Sequence, residues 1–225
     1  MTTRFKPYPT YKDSGVEWLG RIPEHWTTKR IKHLALLKSG DAITSEDIKE
    51  SGDYPVFGGN GIRGFSSRCN VKGNHVLIGR QGALCGNINY ARGECWVSEH
   101  AIVAYLHGAN NFIWFGELLR SMNLNQYSQS AAQPGLSADL ISNLPVPVPP
   151  FNEQERLALF LVRETTKIDA LVAKKERLFE LLQEKRTALI SHAVTQGLNP
   201  NVPKRDSGIP WLGRIPSHWH ARKLK

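Results

Sequence analysis

The sequence lacks long hydrophobic runs and has few cysteines. No stretch of its 225 residues approaches the ~18–20 consecutive apolar residues that a membrane-spanning helix needs. The N-terminal segment contains no apolar core typical of a secretion signal. The three cysteines, Cys69, Cys85 and Cys95, form no C-x-x-C pair, which argues against a disulfide framework and a zinc site. We expect a cytoplasmic protein without a membrane partner, whose reduced thiols pack as small apolar groups.

The motifs of several catalytic classes are also missing. There is no G-x-x-x-x-G-K-[ST] phosphate loop, no N-P-P-Y-like methyltransferase motif and no G-x-S-x-G elbow. Metal-dependent nucleases need clustered carboxylates beside a lysine, and the segment 47–49 (DIK) lacks a second carboxylate. The segment 98–100 (SEH) resembles part of a catalytic triad, but neighbouring side chains of a strand point to opposite faces. We expect no catalytic residue, metal or cofactor in this chain.

Positive charge is unevenly distributed along the chain. The formal net charge is +9, and the last 29 residues carry six basic side chains and one acidic side chain. Such charge favours a polyanionic partner and non-specific affinity for phosphates. It does not locate a surface that recognises a DNA sequence. The basic tail 204–225 has two open interpretations, docking on a partner chain or binding phosphates without a fixed structure.

A duplication is the most informative feature of the sequence. The segment Asp13–Trp26 returns as Asp206–Trp219, at an offset of 193 residues, with eleven of fourteen positions identical. This period has the size of a domain rather than of a solenoid repeat. Each copy combines Gly, Pro and Trp, as a rigid lead-in anchored against a core would. We interpret His25 and His218 as packed, hydrogen-bonded histidines.

Residues 31–150 alternate short apolar runs with Gly- and Asn-rich turns. This mixture predicts a compact α+β domain rather than alternating β-α-β units. The predicted elements are strands at Tyr54–Phe57, Val76–Arg80 and Ala101–Leu106 and a helix at Phe112–Met122.

A long helix is predicted after a proline-rich connector. Residues 144–150 (LPVPVPP) cannot be helical. Asn152 is a candidate N-cap, and no Gly or Pro follows until Gly197, which supplies a stop. About 45 residues at ~1.5 Å each form a rod of roughly 65–70 Å.

The helix has heptad order, so its apolar stripe needs a partner helix. The polar seam residues Glu164, Lys175 and Lys185 are suited to fixing the register of that partner. The apolar seam residues predicted to carry dimerisation are Leu161, Ile168, Leu171, Leu178, Leu182 and Leu189.

The order of these features resembles the specificity (S) subunit of type I restriction-modification systems. That family alternates two target-recognition domains with two long helices, which pair as an antiparallel coiled coil. This chain has one domain and one helix. The resemblance implies a lead-in at 1–28, a target-recognition domain at 29–150, a long heptad helix at 151–197, and a linker with a truncated second lead-in at 198–225. It is carried by the two lead-in copies and by FGGNGIRGF (57–65), LIGRQGALCGNINY (77–90), WVSEHAIVAY (96–105), QPGLSADLISNLPVPVPPFNEQE (133–155) and the helix ending EKRTALISHAVTQGL.

The resemblance implies a subunit that recognises double-stranded DNA without catalysis. Methyltransferase (M) subunits would methylate adenine N6 with S-adenosylmethionine, and nuclease-translocase (R) subunits would add ATP-dependent cleavage. A homodimer would recognise an interrupted inverted repeat, because a two-fold protein contacts inverted half-sites. The alternative is an interaction protein or exchange cassette that pairs with a full-length S subunit and does not itself recognise DNA. A self-contained endonuclease has no candidate site in this sequence.

The resemblance also places loops of the domain in the major groove, where each base pair presents its own hydrogen-bonding pattern. Arginine suits guanine and glutamine suits adenine, whereas Arg68 and Lys72 suit phosphates. The glycine-rich segments have an alternative role, which is to build the fold while other loops contact the bases. The candidate DNA contacts are Asn60, Arg63, Arg68, Lys72, Arg80, Gln81, Gln129 and Gln133.

Overall fold

The computed structural model describes residues 6–16, 18–82, 84–128, 135–220 and 222. It divides into two compact units, Met1–Leu161 and Val162–Lys225. Short strands and helices make up the first unit, and a long helix continues into the second, so the predicted α+β class with one long helix is confirmed. Within the described part of the chain, no helix is both long enough and apolar enough to cross a membrane.

The first unit contains the strands and helices predicted for the domain. The predicted elements at residues 54–57, 76–80, 101–106 and 112–122 are confirmed to within one residue at each end. The helices are α1 Phe112–Ser121, α2 Ala138–Ser142 and the start of α3 Phe151–Gln196, with 3-10 turns at Ile31–His33, Ser45–Asp47 and Leu124–Tyr127. The strands are β1 Tyr11–Asp13, β2 Arg21–Pro23, β3 Thr27–Arg30, β4 Ala35–Ser39, β5 Tyr54–Gly58, β6 Gly61–Ser66, β7 Val71–Lys72, β8 His75–Gly79, β9 Ile88–Ala91, β10 Glu94–Val97, β11 Ala101–Leu106 and β12 Pro145–Val148.

Two four-stranded sheets position the loops of this unit. The first has the order β4-β11-β8-β9, and all its strands are antiparallel to their neighbours. The second has the order β6-β5-β10-β7, in which β5 and β10 run parallel with Trp96 opposite Val56. Strands β10 and β11 belong to different sheets, so the short turn between them joins the two sheets.

Alternating side chains of the first sheet fill two cores. Ile78 and Ile102 face a core that contains Phe115 of α1, whereas Leu77 and Val103 belong to a second core on the other face. The side chains of a strand point alternately to its two faces. Because both faces of β8 and β11 are covered, these strands are apolar at successive positions.

The cysteines take the packing predicted from the sequence. All three are free thiols. Cys85 is buried in the core beside α1, and Cys95 is buried in the second core. Burial raises the pKa of the Cys95 thiol to about 11, with a smaller contribution from Cys69. Cys69 is half-buried.

The proline-rich connector forms strand β12, which pairs with the strand at the end of the lead-in. Strand β12 pairs antiparallel with β3, with Val146 opposite Lys29 and Val148 opposite Thr27. Both valines are buried. A two-stranded ribbon accommodates prolines because edge positions do not need every N–H. The end of the lead-in is therefore bonded to the segment that precedes the long helix.

The lead-in also contacts the first turn of α3 through one carboxylate. The side chain of Glu153 accepts hydrogen bonds from the Tyr8 hydroxyl and, at 3.2 Å, from Trp26 Nε1. His25 Nε2 lies 2.8 Å from Glu153 Oε2. The His25 side chain is 49% exposed, so this histidine is hydrogen-bonded as predicted but only partly packed.

Helix α3 begins and ends close to the predicted positions. It starts at Phe151, so the prediction that Asn152 is its N-cap is wrong. The N–H groups of Glu153 and Gln154 instead donate to the carbonyl of Pro150. Beyond the helix end, Gly197 has φ +74°, a conformation that glycine adopts without steric cost.

The seam residues of α3 beyond the first unit are exposed. The exposed fractions lie between 47% and 60% for Ile168, Leu171, Leu178, Leu182 and Leu189. Leu161 is half-buried in the first unit.

In the second unit, the second lead-in copy folds like the first. Strands β13 Lys204–Asp206 and β14 Arg214–Pro216 pair antiparallel, with Arg205 opposite Ile215. In the first copy, Lys12 lies opposite Ile22, and each of these residues is offset by 193 positions from its counterpart. The turn bonds recur as well: the Ser14 amide donates to the Gly20 carbonyl at 2.9 Å, and the Ser207 amide to the Gly213 carbonyl at 3.0 Å. The duplicated sequence therefore specifies a local structure.

Candidate nucleic-acid interface

Three loops of the first unit line a cleft of about 380 Å³. The β5–β6 turn contributes Gly59 and Asn60, and β6 contributes Arg63. The other lining residues are Gln81 and Leu84, which follow β8, and His100, which lies in the turn between β10 and β11. The cleft thus brings together three predicted DNA contacts, Asn60, Arg63 and Gln81.

Glycines allow the backbones of these loops to meet. A Cβ added to Gly79 would lie 2.3 Å from the carbonyl oxygen of Gly59. A Cβ on Gly59 would lie 3.1 Å from the carbonyl oxygen of His100. Real Cβ atoms do not approach backbone at the first of these distances, so Gly79 is required by the packing of the two segments. The glycine-rich segments consequently have the structural role that the sequence left open, and they also carry the candidate DNA contacts.

Backbone hydrogen bonds tie the loops to each other. The Arg80 amide donates to the His100 carbonyl at 2.8 Å, and the Ser98 amide donates to the Phe57 carbonyl at 2.9 Å. The Leu136 amide donates to the Arg80 carbonyl at 2.9 Å. Arg80 is half-buried and is not one of the residues that line the cleft.

The polar side chains of the cleft are already oriented by contacts within the protein. Gln81 Oε1 lies 2.9 Å from His100 Nδ1, and His100 Nε2 lies 3.3 Å from Glu99 Oε1. Asn60 Oδ1 accepts a hydrogen bond of 2.6 Å from Asn87 Nδ2. Such contacts reduce the rotamer freedom that would otherwise be lost when a ligand binds.

Residues 98–100 differ from the expectation. The side chains of this segment were expected to alternate between the two faces of a strand, but Glu99 and His100 lie in a turn between strands. His100 was not among the predicted DNA contacts, and its side chain lines the cleft. The sequence carried no signal for this position, because the contact between His100 and Gln81 depends on pairing between β11 and β8.

The two predicted phosphate contacts lie outside the cleft. Arg68 Nη2 is 3.3 Å from Asp47 Oδ2, and its guanidinium stacks 5.3 Å from the centre of the Trp96 ring. Lys72 Nζ is 2.7 Å from Glu94 Oε1, on the neighbouring strand. The hydrogen bond and the charge of Glu94 raise the pKa of Lys72. Both basic side chains are exposed, so water screens these ion pairs and leaves them weak.

Two further candidates, Gln129 and Gln133, lie outside the described residues.

Comparison with known proteins identifies the family. The architecture is an α+β domain whose loops form a cleft, followed by a long helix with an exposed heptad stripe. Residues 23–179 match the family described as type I restriction modification DNA specificity domain. The chain belongs to this family of type I restriction-modification specificity subunits.

Curated relatives share part of their length with this chain. The specificity subunit of the type I restriction enzyme EcoprrI from Escherichia coli is 37% identical over 162 residues, which are 70% of this chain and 40% of that protein. The specificity subunit of MjaVIII from Methanocaldococcus jannaschii is 21% identical over 217 residues, 91% of this chain and 49% of that protein. The chain therefore spans about half the length of these relatives.

Solved structures share its fold. A chain from a study of complex assembly and conformational transition of the type I R-M system has a TM-score of 0.68 at 18% identity, over 84% of this chain and 49% of that chain. The S subunit from M. genitalium has a TM-score of 0.59 at 20% identity, over 81% of this chain and 52% of that chain. The HsdS subunit from Thermoanaerobacter tengcongensis has the same TM-score at 18% identity, over 84% and 48% of the respective chains.

Proposed function

We propose that this chain recognises a DNA sequence for a type I restriction-modification complex and has no catalytic activity of its own. The observation that carries this proposal is the cleft, where Asn60, Arg63 and Gln81 come together in a member of the specificity family. Methylation of adenine N6 and ATP-dependent cleavage would then depend on the methyltransferase and nuclease-translocase subunits, which bring S-adenosylmethionine and ATP.

The chemistry of the cleft suits base edges in the major groove. Arg63 is exposed, and no ion pair joins it to a carboxylate within the described residues. Its guanidinium can donate two parallel hydrogen bonds to O6 and N7 of guanine. The amide of Gln81 can pair with N6 and N7 of adenine. Asn60 has the same amide chemistry, although Asn87 already donates to its oxygen.

The other candidates have different proposed roles. Arg68 and Lys72 would exchange their exposed carboxylate partners for DNA phosphates, which fix register but carry no sequence information. Such an exchange costs little because exposed ion pairs are weak. Arg80, Gln129 and Gln133 stay predictions.

Two copies of the chain are proposed to pair through α3. The leucines of its seam are about half exposed, and an isolated amphipathic helix leaves that apolar surface in water. An antiparallel pair would cover the stripe and place one recognition domain at each end. The polar seam residues Glu164, Lys175 and Lys185 would favour one register. Such a two-fold dimer would recognise inverted half-sites separated by a spacer.

A second role is favoured by the second lead-in copy. Its hairpin is folded, and Trp211 is 81% exposed, against 41% for Trp18 in the first copy. Together with the exposed seam of α3, this hairpin offers a surface for a full-length specificity chain. In that role the chain would alter or block recognition without contacting DNA bases itself.

One experiment separates these roles. The chain is co-expressed with its cognate methyltransferase subunit in a host that lacks modification, and methylated adenines are mapped across the genome. Expression of the methyltransferase subunit alone is the control. A bipartite site with identical inverted halves is the expected result and supports both recognition and the homodimer.

The other outcomes would change the proposal. An asymmetric site would show pairing with a different specificity chain. No new methylation, with the two proteins shown to be soluble and bound to each other, would overturn DNA recognition and leave the interaction role.

A further inference from the structure

The side chain of His100 connects Gln81 to a carboxylate. His100 Nδ1 lies 2.9 Å from Gln81 Oε1, and His100 Nε2 lies 3.3 Å from Glu99 Oε1. The other carboxylate oxygen, Glu99 Oε2, is buried without a hydrogen-bond donor among the described residues. With both ring nitrogens protonated, Nδ1–H donates to Gln81 Oε1 and Nε2–H faces Glu99 Oε1, and these two contacts fix the orientation of the ring.

A fixed imidazole in turn fixes one edge of the Gln81 amide. The contact with Nδ1 occupies one lone pair of Oε1 and leaves the other lone pair and both N–H groups of the amide available. Adenine requires a donor for N7 and an acceptor for the N6 amino group, side by side. Because the Gln81 amide is held along one edge, its N–H donor and its carbonyl acceptor face the ligand in one defined order.

An apolar side chain lies in the same cleft. Leu84 is 49% exposed and lines the cleft together with Gln81 and His100. On the major-groove edge of an A·T pair, N7 and N6 of adenine are followed by O4 and the methyl group of thymine. A G·C pair has no methyl group on this edge. An amide and an apolar side chain in one cleft thus match the A·T edge better than any other.

From this arrangement we infer that the cleft recognises an A·T base pair, with Gln81 on adenine, Leu84 on the thymine methyl group, and His100 as the residue that positions the Gln81 amide. This inference rests on the proposed DNA recognition and specifies the base pair at that site. Arg63, on the same cleft, would contact a neighbouring guanine.

The test measures sequence preference one position at a time. The full chain, in complex with its methyltransferase subunit, is incubated with duplexes randomised across the site, and bound duplexes are sequenced. Gln81→Ala is expected to lower the preference for A·T at one position by about 5- to 150-fold, the range that a bidentate base contact provides. His100→Ala is expected to weaken the preference at the same position and at no other.

Two variants check that positioning, rather than folding, causes the loss. His100→Asn places an amide N–H near the position of Nδ1 and should restore much of the preference. Gln81→Glu replaces the donor by an acceptor and should shift the preference from adenine towards cytosine, whose N4 group donates. His75→Ala, outside the cleft on β8, is the matched control and should leave every position unchanged.

A change in the DNA tests Leu84 directly. Replacing thymine by uracil at the assigned position removes the methyl group, and this should weaken binding by the wild-type complex about fourfold, the value for one buried methylene. The same replacement should have no effect on a complex with Leu84→Ala, because its contact is already gone.

The outcomes distinguish this inference from the proposed function. If Gln81→Ala relaxes one position but His100→Ala changes none, or changes all positions equally with a normal fold, the positioning role is overturned and recognition survives. A preference for G·C at the Gln81 position, or equal uracil effects in both complexes, overturns the A·T assignment. If the wild-type complex selects no sequence, the proposed function itself fails.

Discussion

His25 Nε2 lies 2.8 Å from Glu153 Oε2, across 128 residues of sequence, where the lead-in meets the first turn of α3. Tyr8 and Trp26 donate to the same carboxylate. The neighbouring Gln154 continues the junction, because its Oε1 accepts from the Asn111 amide at 3.0 Å. The first turn of the long helix is thus fixed to the rest of the first unit by polar contacts.

We expect Glu153→Gln to destabilise the first unit and to alter its response to acid. Burial opposes ionisation of Glu153, but the hydrogen bonds from Tyr8, His25 and Trp26 outweigh it, so the pKa of Glu153 lies below its ordinary value. The stability that the ionised Glu153 carboxylate contributes is fully present above the ordinary glutamate pKa of about 4.3. It is lost as the pH falls through the lower pKa of the folded state.

Urea unfolding checks this expectation. At neutral pH the variant should lose about 1.5–3 kcal/mol of unfolding free energy, the value of hydrogen bonds to a charged group. Its stability should also depend less on pH below about 5 than that of the wild type. Glu155→Gln, an exposed position on the same turn, is the control. Equal losses in the two variants would contradict the role of the junction.

The double variant Leu171→Asp with Leu178→Asp should abolish dimerisation and methylation together. Both positions belong to the exposed seam of α3, and two carboxylates there would have to be buried in the dimer without a partner. Sedimentation of the purified chain measures the oligomeric state, and methylation is measured with the methyltransferase subunit.

The control for the helix places the same charges on the outer face. Ala173→Asp with Thr187→Asp changes exposed positions that lie away from the two seam positions of the heptad. This variant should remain dimeric and active. A dimer that survives the seam variant would show that α3 is not the dimerisation element.

Arg63→Ala and Lys72→Ala should affect DNA binding in different ways. Loss of Arg63 should cost about 1–3 kcal/mol and relax one position of the recognised sequence. Loss of Lys72 should weaken binding to all sequences alike and reduce the salt dependence of affinity by about one unit of slope. Binding isotherms at several salt concentrations, with cognate and substituted duplexes, separate the two effects. If Arg63→Ala and Arg80→Ala both leave affinity and sequence preference intact, the assigned base contacts are wrong.

Gly79→Ala should disturb the cleft itself. The added methyl group would lie 2.3 Å from the Gly59 carbonyl oxygen, and relief of such overpacking costs about 1–3 kcal/mol. Displacement of the β5–β6 turn should also weaken sequence preference at the positions contacted by Asn60 and Arg63. Thermal unfolding and sequencing of bound duplexes measure the two effects.

The matched control for Gly79 is Gly15→Ala. Gly15 has φ +69°, and an added Cβ would meet nothing within 4 Å. The control should therefore show the conformational cost of a positive φ, about 1–2 kcal/mol, with the recognised sequence unchanged. An altered sequence preference in the control as well would mean that loss of stability, and not the shape of the cleft, explains the result.

Local patterns in the sequence predicted many of the elements of this protein. Two examples are the strand at Ala101–Leu106 and the long helix between the proline-rich segment and Gly197. Each depends on residues a few positions apart, so hydrophobic periodicity and stop residues predict it directly. The duplicated lead-in predicted a rigid element, and its two copies have matching strand registers. The N-cap was missed because Pro150 supplies the carbonyl that accepts the first amide bonds of α3.

The sequence by itself determined the α+β class, the long helix and the repeat, because each follows from local spacing and from turn and stop residues. Only the tertiary structure decided that Gln81 meets His100, since that contact requires β11 to pair with β8 and β10 to lie in the other sheet. The tertiary structure also decided that the Glu153 carboxylate forms hydrogen bonds with the side chains of Tyr8, His25 and Trp26. It placed Arg68 and Lys72 away from the cleft. These contacts join residues far apart in the chain, and their geometry is set by sheet register and core packing, which no local pattern encodes.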